Sequence, residues 1–119
     1  SRLFLGGNEI QYKGVVAIAE ASSTSQHLEE LSLCNNNTGF QGAAAFANLL
    51  KVNSSVSRLF LGGNEIQYKG VVAIAEASST SQHLEELSLC NNNTGFQGAA
   101  AFANLLKVNS SVSRLFLGG

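Results

Sequence analysis

The 119-residue sequence predicts an α/β solenoid, a stack of short strand–helix units whose strands all run parallel, and three observations carry that prediction. The first is an unchanged internal copy. Ser1–Val56 recurs as Ser57–Val112, and Ser113–Gly119 repeats the opening seven residues once more. The second is a weaker period of 28 inside that 56-residue unit. It aligns Leu3 with Leu31, Leu5 with Leu33, Asn8 with Asn36, Gly14 with Gly42, Ala17 with Ala45 and Ala19 with Ala47. The third is a change of hydrophobic period within every module, from two residues to the three-and-four spacing of a helix face. The chain therefore reads as a single solenoid of modules 1–28, 29–56, 57–84 and 85–112 with a partial module 113–119.

Each module opens with a strand. In Leu28-Glu-Glu-Leu31-Ser-Leu33 and in Val56-Ser-Arg-Leu59-Phe-Leu61 the apolar residues alternate with others, which places strands near 2–5, 30–33, 58–61, 86–89 and 114–117. The glycines that follow, Gly14, Gly42, Gly70 and Gly98, read as the turn into a helix of about ten residues. Val15, Ile18, Ala19 and Ser22 then fall at i, i+3, i+4 and i+7, as do Ala43, Phe46, Ala47 and Leu50, so each set forms one buried helix face. Because Ser22 and Ser78 stand where the alternate module has Leu50 and Leu106, large and small residues are expected to interdigitate between neighbouring layers. A strand followed by a helix, repeated every 28 residues, requires parallel strands joined by crossovers.

Leu28, Leu31, Leu33, Asn36 and Thr38, and again Val56, Leu59, Leu61, Asn64 and Ile66, spell Leu-x-x-Leu-x-Leu-x-x-Asn-x-Leu almost completely. The sequence thereby resembles the leucine-rich repeat family over essentially its whole length. Its module length and the run Gly14, Ala17, Ile18, Ala19 are similar to the ribonuclease-inhibitor-like subfamily. The resemblance implies a curved horseshoe with the parallel strands concave and the helices convex. It also implies that Asn8, Asn36, Asn64 and Asn92 form an inward ladder that hydrogen-bonds the backbone of adjacent turns. Thr38 and Thr94 depart from the pattern, putting a hydroxyl where an aliphatic residue is usual.

Composition narrows the function classes. Seven Lys and Arg balance eight Asp and Glu for a net charge of −1, which argues against nucleic acid as a partner. No apolar run approaches the ~20 residues of a membrane span, and no basic-then-apolar signal segment opens the chain, so a soluble, cytoplasmic-type protein is expected. At 45% hydrophobic and 13% charged residues there is enough apolar material for a core without disulfides.

The motifs that could carry chemistry read as structural. Gly6-Gly7-Asn8 and Gly39-Phe40-Gln41-Gly42 lack the Lys-Ser or Lys-Thr of a phosphate loop. His27 and His83 have no further donor at ligand spacing, so neither a metal site nor a cofactor is expected. The runs Ser22-Ser23-Thr24-Ser25 and Ser54-Ser55 have no positioned base, and no enzyme activity is expected. The sequons beginning at Asn36 and Asn53 are discounted, the first because its Asn is a ladder residue. Cys34 and Cys90 lie two modules apart, about 10 Å, beyond the roughly 7 Å Cα separation a disulfide tolerates, and are expected as free thiols.

Strand alternation leaves a candidate protein-binding face. One row reads Arg2, Glu30, Arg58, Glu86 and Arg114, whose alternating charges suit a register-fixing ladder; the next reads Phe4, Ser32, Phe60, Ser88 and Phe116; Cys34 and Cys90 border them. Natural repeats drift, whereas every one of residues 57–119 copies the residue 56 before it, so the sequence suggests an engineered scaffold with a structural or self-assembling role. The alternative is a segment of a natural receptor or inhibitor that binds a protein on the concave face. With no polar capping module, the chain is expected to self-associate through its ends or to continue in a longer, possibly ring-closing array. Simple end-to-end joining would set Arg114 beside Arg2, which favours the longer array.

Overall fold

The computed structural model describes residues 2–7, 10–53, 55–92, 94–109 and 111–118. Strands β1 (Arg2–Phe4), β2 (Glu30–Ser32), β3 (Arg58–Phe60), β4 (Glu86–Ser88) and β5 (Arg114–Phe116) alternate with helices α1 (Gln11–Ser23), α2 (Gly39–Val52), α3 (Gln67–Ser79) and α4 (Gly95–Val108). The strands make one parallel sheet in chain order, with Leu3, Leu31, Leu59, Leu87 and Leu115 in register. Leu31, Leu33, Leu59, Leu61, Leu87 and Leu89 are completely buried. Each such side chain contributes about 1.5–3 kcal/mol of burial, which offsets the ordering of strands only three residues long.

Helices extend farther toward their N-termini than the periodicity indicates. Gln11 and Gly39 open α1 and α2, so Gly14 and Gly42 lie inside the helices rather than at the turns before them. What these glycines provide is close approach. A Cβ on Gly42 would collide with the Thr38 methyl and press on Val15, and one on Gly70 would meet Ile66 and stand 2.9 Å from Ala43 Cβ. Backbone reversal is done elsewhere, by left-handed residues such as Asn35 (φ 61°), Asn37 (φ 54°) and Gly39 (φ 63°). Gln67 adopts the same left-handed conformation (φ 62°) without being glycine, held by its N–H donating to Asn92 O at 2.8 Å.

Because α1 and α3, and likewise α2 and α4, have the same sequence, their differences in burial reveal which side chains face which neighbour. Ala43, Ala47 and Leu50 of α2 are buried while Ala99, Ala103 and Leu106 of α4 are exposed, so this stripe faces the following module. Ile74 and Ala77 of α3 are buried while Ile18 is half-buried and Ala21 exposed in α1, so that stripe faces the preceding one. Every layer interface thus sets positions 15, 19 and 22 of one module against 14, 18 and 21 of the next. Large–small complementarity follows, with a corrected pairing: Ser22 belongs to the layer that holds Leu49, and Leu50 to the layer that holds Ala77.

Candidate protein-binding face

The strands bring the two predicted rows together. Arg2, Glu30, Arg58, Glu86 and Arg114 are consecutive partners across the sheet, and so are Phe4, Ser32, Phe60, Ser88 and Phe116. Since the leucines between them turn into the core, both rows lie on the open side of the sheet. The charges form pairs rather than a continuous ladder. Arg58 Nε donates to Glu30 Oε1 at 2.9 Å and Arg114 Nη1 lies 3.6 Å from Glu86 Oε1; these are the ion pairs among the described residues. The Glu30 hydrogen bond is the main influence raising Arg58 above its usual pKa, against some loss from burial.

Phe4 is 57% exposed and Phe116 46%, and Phe60 between them is half-buried. Serines separate the rings, leaving gaps beside each aromatic. Cys34 and Cys90 are free and half-buried at the border of these rows, and each accepts a long hydrogen bond from a neighbouring serine, Ser32 at 3.8 Å and Ser88 at 3.7 Å. Gly62 lies between them, where a Cβ would stand 3.8 Å from Cys34 Sγ and 3.3 Å from Cys90 O. The two thiols therefore flank a floor of bare backbone.

Beneath the face, asparagines tie the modules together. Asn64 donates from Nδ2 to the carbonyls of Leu33 (2.9 Å) and Leu61 (2.8 Å), and its Oδ1 accepts the Asn36 N–H at 2.8 Å. Asn92 repeats this toward Leu61, Leu89 and the N–H of Asn64, and Asn36 reaches Leu5 and Leu33. Asn8 lies outside the described residues. Thr38 uses the hydroxyl that marked it as a departure: its Oγ1 donates to Asn64 Oδ1 at 2.8 Å, in complete burial.

Sequence reasoning missed a second set of asparagines. Asn53 Nδ2 donates to Ser22 O, Ser23 O and Ser25 O, two of them carbonyls at the end of α1, while its Oδ1 accepts the N–H groups of Ser55 and Val56. Asn109 does the same one unit later. The clue was present in the 28-residue spacing that places Asn53 opposite Ser25, whose hydroxyl accepts the N–H groups of His27 and Leu28. An amide engaged this way is a poor glycan acceptor.

The remaining candidates stay apart. His27 and His83 are exposed, and His83 borders a hollow of about 280 Å³ with Lys51, Asn53 and Gln82 on the loop edge, away from the sheet face. Among the described residues no group of His, Cys, Asp and Glu is placed to hold a metal ion, and no helix is long and apolar enough to cross a membrane.

A leucine-rich repeat family model matches residues 2–19 and 52–75. Among solved structures, the actin-binding site 2 of leiomodin-1 superposes with a TM-score of 0.93 at 26% identity, covering 99% of this chain and 70% of that one. The tropomodulin C-terminal domain of Caenorhabditis elegans superposes with a TM-score of 0.90 at 17% identity, covering 100% and 74%. No curated protein sequence matches the chain. The repeat register, the buried asparagine ladder and these likenesses together show that the chain has the leucine-rich repeat solenoid fold.

Proposed function

We propose that the chain is a non-catalytic binding scaffold that takes a protein partner on the open, concave face of its sheet. The observation that carries this reading is the row of phenylalanines spaced by serines, two of them about half exposed on the sheet. Solvent-exposed aromatics with gaps beside them are the usual anchors of a protein interface. The leiomodin-1 domain is an actin-binding site, which makes actin the first partner to test.

Binding is measured by fluorescence anisotropy with monomeric actin and by co-sedimentation with filaments. In the variant Phe4→Ser, Phe60→Ser, Phe116→Ser, each ring becomes the residue found on the alternate strands, and affinity is expected to fall at least about tenfold with the circular dichroism unchanged. Undiminished binding by this variant would place the interface elsewhere, and no binding by the parent chain would remove actin as the partner.

A second reading is favoured by the unchanged 56-residue copy: an engineered tandem array with a self-assembling role.

A further inference from the structure

The phenylalanine row has a spacing that selects among the shapes a peptide can take. Phe4, Phe60 and Phe116 stand on every second strand of one parallel sheet, so successive phenylalanines are about 9.6 Å apart across it. Ser32 and Ser88 sit midway, and their small side chains leave one gap between Phe4 and Phe60 and an equal gap between Phe60 and Phe116. A ring seated over either serine would stand about 4.8 Å from the phenylalanine on each side, within the range at which rings pack. Whatever enters both gaps must present two apolar groups about 9.6 Å apart on one side. An extended strand repeats a face at about 6.8 Å, and an α-helix returns to it after seven residues at about 10.5 Å. A polyproline II helix returns every third residue, at about 9.3 Å. A concave face draws the ring tips nearer than their backbone positions, which moves the match toward polyproline II and away from the α-helix.

Hydrogen bonding and charge agree with that shape. A polyproline II backbone makes no internal hydrogen bonds, so its carbonyl oxygens are free to accept. The Ser32 hydroxyl donates to Cys34 Sγ at 3.8 Å and the Ser88 hydroxyl to Cys90 Sγ at 3.7 Å, long bonds to a weak acceptor that a carbonyl oxygen readily replaces. In the adjoining row Arg58 is paired with Glu30 and Arg114 with Glu86. The charge beside the gaps is thus already balanced, and an uncharged segment complements it.

We infer that this face takes a proline-rich segment in the polyproline II conformation. The segment crosses the strands, with the two prolines of a Pro-x-x-Pro repeat over Ser32 and Ser88 and the Phe60 ring between them. This names the partner chemistry of the concave-face reading and rests on it. Both gaps are walled by strands of this chain, β1 and β3 for one and β3 and β5 for the other.

Fluorescence anisotropy of fluorescein-labelled decaproline, titrated with the full 119-residue chain, tests it. Saturable binding is expected, changing less than about twofold between low and high salt because no ion pair forms. Phe60→Ser removes the wall that the two gaps share and is expected to weaken binding at least about tenfold. Ser32→Leu with Ser88→Leu keeps all three rings but fills the gaps, and is expected to abolish binding while circular dichroism stays unchanged. Should that variant fail to fold, Phe60→Ser still decides, since it installs the residue that the alternate strands carry. Decaproline binding that survives Phe60→Ser would overturn the inference, as would tighter Phe60-dependent binding of a helical peptide with leucine at every seventh residue. No binding of decaproline, in a chain that binds actin through its phenylalanines, would sink the polyproline inference and leave the concave-face reading standing. No Phe60-dependent binding of decaproline, the helical peptide or actin would sink both.

Discussion

Asn64 is fully buried and saturated: Nδ2 donates to Leu33 O, Leu61 O and Gly62 O, and Oδ1 accepts from Asn36 N, Thr38 N and Thr38 Oγ1. Removing the amide leaves several backbone groups of two consecutive modules without partners in a dry turn. Asn64→Ala is therefore expected to lower stability by on the order of 3 kcal/mol or more, read as a fall in the denaturant midpoint. Ser78 is the converse case. Its hydroxyl is completely buried with no hydrogen-bond partner, a cost of about 1–3 kcal/mol that the corresponding Leu50 does not incur. Gln67 carries a further cost of roughly 1 kcal/mol by standing left-handed where the alternate module has Gly39. The chain thus tolerates local penalties because layer packing outweighs them.

For the helices, the informative comparison lies between glycines of identical local sequence. A Cβ on Gly14 meets only Ile10 of its own turn, whereas one on Gly70 meets the corresponding Ile66 and also Ala43 of the neighbouring helix at 2.9 Å. Both Gly→Ala changes gain the same intrinsic helix propensity and incur the same collision within the turn. Their difference isolates the contact between helices. Gly70→Ala is expected to destabilise by about 1–2 kcal/mol more than Gly14→Ala in thermal or denaturant melts. Equal effects would show that α2 can retreat from α3 without loss.

Across the whole molecule, identical sequences experience different surroundings. Phe46 and Phe102 are both buried, yet Leu50 is 6% exposed and Leu106 58%, because α2 has a helix on either side and α4 has α3 on one. Intrinsic amide exchange rates in α2 and α4 are the same, so any difference in protection arises from packing alone. Hydrogen-exchange mass spectrometry of the shared peptide Ala43–Leu50, which is also Ala99–Leu106, is expected in dilute solution to give two equal isotopic populations, one exchanging at least about tenfold faster. A single envelope would mean that the stack opens as one unit.

Parallel strands, their register and the 28-residue module were legible in the sequence, because the alternation of Leu31 and Leu33 and the recurrence of Asn36 are consequences of local geometry repeated along the chain. The aromatic and charged rows followed from the same alternation. Tertiary structure alone decided which helix stripe faces which neighbour, that Gly14 and Gly42 serve close packing instead of turning the chain, and that Asn53 ties the end of α1 to the next loop. Periodicity identifies a buried face but not the side chain across from it. That depends on the distance between layers, which is set by every residue of both helices together.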